Sequence, residues 1–182
     1  MDKQDITNLS IPERAKLGVT FSFQQPVRFK GLTVRDLICL AAGREMDEPQ
    51  LCEYLCDVGL CARDYMDREV NASLSGGEIK RVEIAMTMAR SVKRLTRFDE
   101  PEAGIDLWSF NNLIEVFQKL RGQNNGSIII ISHQERILDI ADEIIILSDG
   151  QVVSQGDRTH ILPDLLSNGR CAFYPEMEVA KA

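Results

Sequence analysis

Apolar and polar positions in this chain follow first the period of a strand and then that of a helix. From Leu17 to Phe23, Val19, Phe21 and Phe23 alternate with smaller or polar residues, which predicts a short strand. Gln24-Gln25-Pro26 then predicts a loop, because proline disfavours helix in the residue before it. Between Thr33 and Met66 the period is helical, broken by Gly43, Pro49 and Gly59. The resulting short helices carry Val34, Leu37 and Ile38, then Leu51, Leu55 and Val58. In Leu74-Ser75-Gly76-Gly77-Glu78, Ser75 and Glu78 have the spacing of a capping box, so a helix should begin at Gly76. Ile79, Val82, Ala85, Met86 and Ala89 form its apolar stripe, which ends near Arg90.

The second half repeats the alternation. Leu95 to Phe98 predicts a short strand leading into Asp99-Glu100-Pro101. Phe110, Leu113, Ile114, Phe117 and Leu120 predict an amphipathic helix stopped at Gly122. Ile128 to Ile131 is a continuous apolar run that suits a parallel strand buried on both faces. A helix is expected around Glu135 to Ala141, and Ile144 to Leu147 is a second apolar run. Asp149-Gly150 should turn that run into Gln151 to Ser154 as a hairpin. Strands alternating with helices give an α/β fold, a parallel sheet flanked by helices with a helical insert between about residues 24 and 90. Residues after Leu166 carry no pattern.

Composition narrows the class. The 182 residues are 44% apolar and 27% charged, ordinary for a globular protein, with a net charge of -7. That balance argues against a nucleic-acid surface, which needs a clustered basic stripe. The longest apolar run, Leu37 to Ala42, is far short of a membrane span, and Met1 to Asp5 is too polar for a signal peptide, so a cytoplasmic location is expected. Cys39, Cys52, Cys56, Cys61 and Cys171 are odd in number, and are expected to be buried or half-buried free thiols rather than a disulfide framework. Cys52 and Cys56, four apart, could share a helix face.

Candidate chemistry collects where strands end. Asp99-Glu100 follows a sheet strand, and ligands of open α/β sheets bind beyond the carboxyl ends of the strands. One carboxylate there could orient a metal and its neighbour polarise an attacking water, although an acidic pair by itself is more often a solvated turn. Ser75-Gly76-Gly77 before a capped helix allows close approach of backbone to a phosphate at a positive dipole end. His133 ends the isoleucine run and could contact a terminal phosphate; Gln24 offers a carbonyl to a metal and an amide to water.

The order Gln24, Leu74 to Glu78, Asp99-Glu100, Ala103-Gly104-Ile105-Asp106, His133 resembles that of ABC-type ATPases: Q-loop, LSGGE signature, Walker B acids, D-loop and switch histidine. The resemblance runs from about Ile6 to Leu166. It implies a P-loop NTPase-like (RecA-like) core from residues 1–23 and 91–166, a helical signature subdomain from 24–90 and a tail from 167–182. It further implies ATP as substrate with Mg²⁺, the metal held by Asp99 and Gln24. Glu100 would be the water-orienting base and His133 the γ-phosphate sensor, with Gln24 coupling them to the insert. Ser75, Gly76, Gly77 and Glu78 would close over ATP bound by a second subunit, with Asp106 at the seam of that head-to-tail dimer. His133-Gln134-Glu135-Arg136-Ile137-Leu138-Asp139 and Phe23-Gln24-Gln25-Pro26 are similar to SufC, the ATPase of Suf iron–sulfur cluster assembly, and so imply SufB- and SufD-like scaffold partners. A transporter subunit serving a membrane permease, or a non-catalytic ABC-like partner-binding fragment, is the alternative.

Two departures stand out. No G-x-x-x-x-G-K-[ST] occurs, and only 23 residues precede Gln24, with neither Lys3 nor Lys16 flanked by glycine. The chain therefore reads as N-terminally truncated, without the P-loop and its strands, inactive alone, and with apolar sheet surface exposed to solvent. Arg97 stands in the Walker B strand where the family has an apolar residue; it must snorkel, pair or mark an altered position.

Overall fold

A computed structural model describes residues 4–71, 73–123 and 126–167, so the expected tail lies outside it except for Ser167. The chain forms two compact units, Met1–Ser132 and His133–Ala182.

The first unit is built on three parallel strands in the order β1 (Val19–Ser22), β2 (Leu95–Asp99), β3 (Ser127–Ile131). Val19 pairs with Leu95, and Asp99 with Ile131. A short helix that the apolar pattern does not reveal, α1 (Ile11–Lys16), precedes the sheet. Between β1 and β2 run α2 (Val34–Ala42), α3 (Glu48–Asp57), α4 (Ala62–Tyr65) and α5 (Gly76–Ala89), and α6 (Leu107–Gln123) joins β2 to β3.

Local chemistry sets these boundaries. Thr33 caps α2 by accepting from the Asp36 N–H at 3.2 Å, while Asp36 accepts from the Thr33 N–H at 2.9 Å. Gly43 ends α2 at φ 70°, a left-handed conformation open to glycine. Asp47 caps α3, whose first turn holds Pro49, where a missing N–H costs nothing. Val34, Leu37, Ile38, Leu51, Leu55 and Val58 are all buried, as their spacing predicts. The α5 helix departs from a single stripe. Ile84, Thr87 and Met88 are buried along with Ile79, Val82, Ala85 and Ala89, so it is covered on more than one side.

The sheet corrects a second expectation. Thr20, Ser22, Thr96 and Phe98 form one face and are buried, with Phe98 edge-on to Phe117 of α6 at 5.0 Å. Phe21 and Ile129, opposite Arg97 on the other face, remain 45% and 49% exposed. β3 is thus covered on one face only, because no described element of this unit lies over Ile129 and Ile131.

The second unit contains α7 (Glu135–Leu138), β4 (Glu143–Ser148), β5 (Gln151–Asp157) and α8 (Arg158–Ser167). β4 and β5 are antiparallel, turned at Asp149-Gly150, with Gly150 at φ 75°. The run Ile144 to Leu147 is therefore one arm of a hairpin. Ile144 is buried, whereas Ile145 and Leu147 face solvent. α7 is shorter than the expected helix, and α8 falls where no helix is legible.

The thiols also differ from expectation. Cys39 is buried, but Cys52, Cys56 and Cys61 are exposed; α3 turns Leu51 and Leu55 inward and Cys52 and Cys56 outward, and Cys61 stands just before α4.

Candidate functional site

The carboxyl ends of β1 and β2 bring three of the singled-out residues together. Glu100 follows β2 directly and has φ 41°, a left-handed backbone that costs a non-glycine residue of the order of 1 kcal/mol. Its N–H donates to the Ile131 carbonyl at 3.0 Å, which fixes the turn against the end of β3. The Gln24 side-chain amide donates to the Glu100 carboxylate at 2.5 Å. The base candidate is therefore held from both backbone and side chain.

Asp99 is tied differently. Arg97, on the same face of β2, reaches its carboxylate at 2.8 Å and sits over the Phe21 ring at 5.6 Å from the centroid. The basic residue in the strand is thus half-exposed and paired. One Asp99 oxygen is engaged by a guanidinium, so a metal at this carboxylate would have to compete with it.

Beneath this rim lies a residue outside the apolar stripe read for α5. Lys80 of α5 is 1% exposed. Its ammonium donates to the Phe23 carbonyl and, at 3.3 Å, to the Asp99 carbonyl. These are the residues immediately before Gln24 and Glu100. Glu83, one turn along α5, accepts from the Phe23 N–H at 2.8 Å and lies 3.9 Å from the Lys80 ammonium. Burial pushes the Lys80 ammonium down and the Glu83 carboxyl up. The opposite charge of Glu83 is the first offset for Lys80, and the Phe23 N–H is the first for Glu83. A signal was available in the sequence: Lys80 shares an i, i+4 row with Ile84 and Met88.

The signature segment forms a second cluster. Ser75 accepts from the Glu78 N–H at 3.2 Å and its own N–H donates to Glu78 at 2.6 Å, closing the capping box. The Tyr65 hydroxyl donates to the other Glu78 oxygen at 2.5 Å. That hydrogen bond, followed by the Ser75 N–H, holds the Glu78 carboxyl below the usual carboxylate range. Gly76 has open space where a side chain would project, whereas a Cβ on Gly77 would lie 2.6 Å from the Gly104 carbonyl oxygen. The signature turn thus touches the Ala103-Gly104-Ile105-Asp106 segment of its own chain. Asp106 stands just before α6, and its carbonyl accepts from the Phe110 N–H at 3.0 Å.

Glu102 is buried beside this segment and accepts from the Ser132 hydroxyl at 2.5 Å. His133 opens the second unit, where its ring nitrogen lies 3.5 Å from the Gln134 amide. Around the end of β1, residues that include Phe21, Phe23, Phe29, Leu37, Val82 and Met86 line a cavity of about 160 Å³. No group of three or more side chains among the described residues could hold a metal, and no described helix is long and apolar enough to cross a membrane.

The fold defines a class, an α/β cassette with a parallel sheet flanked by helices. The dimeric post-hydrolysis structure of an ATP-binding cassette with ADP and phosphate superposes with a TM-score of 0.73 at 21% identity, covering 87% of this chain and 72% of that one. An uncharacterised ABC transporter ATP-binding protein of Methanocaldococcus jannaschii is 35% identical over 159 residues, 84% of this chain and 63% of the relative. A probable ATP-dependent transporter, ycf16, of Pyropia yezoensis is 31% identical over 179 residues, 91% of this chain and 70% of the relative. No family model matches. The chain belongs to the ABC ATPase family. It spans 63% of the archaeal relative, a little under two thirds.

Proposed function

We propose that this chain is the signature and Walker B portion of a SufC-like ABC ATPase that turns over ATP with Mg²⁺ as half of a head-to-tail dimer. The observation that carries the reading is the Gln24–Glu100 hydrogen bond of 2.5 Å. An amide that donates to a carboxylate leaves its own carbonyl free for a metal, and aims the remaining carboxylate lone pairs at a water. Glu100 is then the base, and Gln24 and Asp99 the metal ligands, Asp99 after release of Arg97. His133 contacts the γ-phosphate. When bound, Mg²⁺ neutralises phosphate charge. Ser75, Gly76, Gly77 and Glu78 offer a capped helix end to ATP held by the other subunit, with Asp106 at the seam.

In this reading residues 1–23 and 91–166 belong to the ATPase core and 24–90 to the signature subdomain. The segments His133 to Asp139 and Phe23 to Pro26 support a SufC-like assignment with SufB- and SufD-like scaffold partners. The transporter names of the relatives support a permease partner instead. The apolar cavity beside Phe23 suits insertion of a partner's side chains in either case.

No glycine-rich lysine loop is present to cradle the phosphates, so the purified chain is expected to show no ATP turnover. The test supplies that loop, by fusing the N-terminal part of the archaeal relative ahead of β1. The fusion should bind and hydrolyse ATP, and Glu100→Gln should lower turnover by about 100-fold or more while leaving binding intact. Equal hydrolysis by the fusion with and without the Glu100→Gln substitution would remove Glu100 from its role. Copurification with Suf scaffolds or with a permease decides the partner.

A further inference from the structure

Cys52 and Cys56 stand one above the other on the solvent side of α3, with their sulfurs 3.7 Å apart. Their support is rigid, since Leu51 and Leu55 on the inner side of the same helix are fully buried and Asp47 caps its start. The thiol–thiol contact is the main reason that the Cys56 thiol is pushed up, followed by burial and the charges of Cys52, Cys61 and Asp57.

The sulfur separation discriminates between two fates. A disulfide needs sulfurs about 2.05 Å apart and Cβ atoms about 3.5–4.5 Å apart. Positions i and i+4 of a helix place their Cβ atoms about 5–6 Å apart, so that bond would unwind the turn that seats Leu55. A tetrahedral ion with metal–sulfur bonds of about 2.3 Å holds two sulfurs about 3.8 Å apart. The observed 3.7 Å meets the second requirement without moving the backbone.

We infer that Cys52 and Cys56 form a bidentate site for a soft, thiophilic divalent cation of the zinc and cadmium type. Its remaining positions are taken by water, since no described cluster of three ligands is available. On binding, each thiol gives its proton to the solvent, two metal–sulfur bonds form and four of the six waters leave the hydrated ion, the other two completing the tetrahedron; nothing is oxidised or reduced. The inference stands apart from the nucleotide chemistry, because no residue of that site takes part.

The test is a cadmium titration of the full reduced chain carrying Cys171→Ser, followed by thiolate-to-metal charge-transfer absorption. One ion per chain is expected, with affinity that rises with pH as two protons are displaced. Cys52→Ser and Cys56→Ser should each weaken binding by about 100-fold or more. Cys39→Ser, at a buried thiol, should leave binding unchanged. Circular dichroism checks that each variant is folded. No saturable absorption, or absorption that survives both single substitutions, would overturn the site. A loss with Cys61→Ser as large as that with Cys52→Ser would overturn the two-sulfur geometry.

Discussion

Gly77 meets the backbone of Gly104: any side chain at position 77 would begin 2.6 Å from the Gly104 carbonyl oxygen, closer than Cβ atoms approach oxygen. The neighbouring Gly76 has nothing within 4 Å at the same point. Gly77→Ala is therefore expected to cost about 1–3 kcal/mol through forced displacement of backbone. Gly76→Ala should change stability by less than about 1 kcal/mol. Urea midpoints of the two variants decide the matter; equal effects would show that the signature turn does not rest on the segment before Asp106.

Lys80→Met removes the donor that Phe23 and Asp99 share and leaves Glu83 without its cationic neighbour. The expected loss is about 3–5 kcal/mol, the usual consequence of stranding one member of a buried pair. Lys80→Met combined with Glu83→Gln should recover part of it. Amide exchange at Glu100 should quicken in the single variant more than exchange at Ile38, which is buried in α2.

The Glu78 carboxyl is held below its ordinary value by Tyr65 and Ser75. A depressed acid contributes stability that is complete above the unfolded value of about 4.3 and is lost as pH falls through the lower folded value. Glu78→Gln should cost about 1 kcal/mol at pH 7. The gap between parent and variant should close on acidification below about pH 4. Denaturation midpoints taken from pH 7 to pH 3 would show it, and a constant gap would assign the loss to packing.

Arg97→Leu tests how much the pair on β2 contributes. Arg97 and Asp99 are 36% and 29% exposed, so solvent screens their attraction. The change should stay within about 1 kcal/mol and shrink at high salt. A larger loss would mean that the stacking of Arg97 on Phe21 carries the strand.

The open side of the sheet makes a separate demand. Phe21, Ile129 and Ile131 present apolar surface that water covers poorly. Ile129→Thr is expected to reduce concentration-dependent self-association, seen by sedimentation, with a stability change under about 1 kcal/mol because Ile129 is already 49% exposed.

What the sequence disclosed is what nearest neighbours decide. The capping box at Ser75, the break at Gly43 and the inward rows of α2 and α3 depend on residues a few positions apart, and all are legible. Whether Ile129 is covered depends on what lies above it, which four consecutive isoleucines cannot state. At Ile144 to Leu147 the antiparallel partner was legible, because Asp149-Gly150 marks the turn, but the exposure of Ile145 and Leu147 was not. The site divides in the same way. Gln24, Asp99 and Glu100 were legible through motif order, although 76 residues separate Gln24 from Glu100. Lys80 and Tyr65 were not, because each acts on a partner that is near only after folding. The exposure of Cys52 and Cys56 follows from the direction in which α3 faces, which composition cannot supply.

The ammonium of Lys80 grips main-chain oxygens, and every amino acid supplies that oxygen in the same place. Positions 23 and 99 can therefore exchange their side chains without loosening the joint, while position 80 has no such latitude. The mutational tolerance of the rim is lopsided: one codon in the helix carries a restraint that its two recipients cannot lose by substitution.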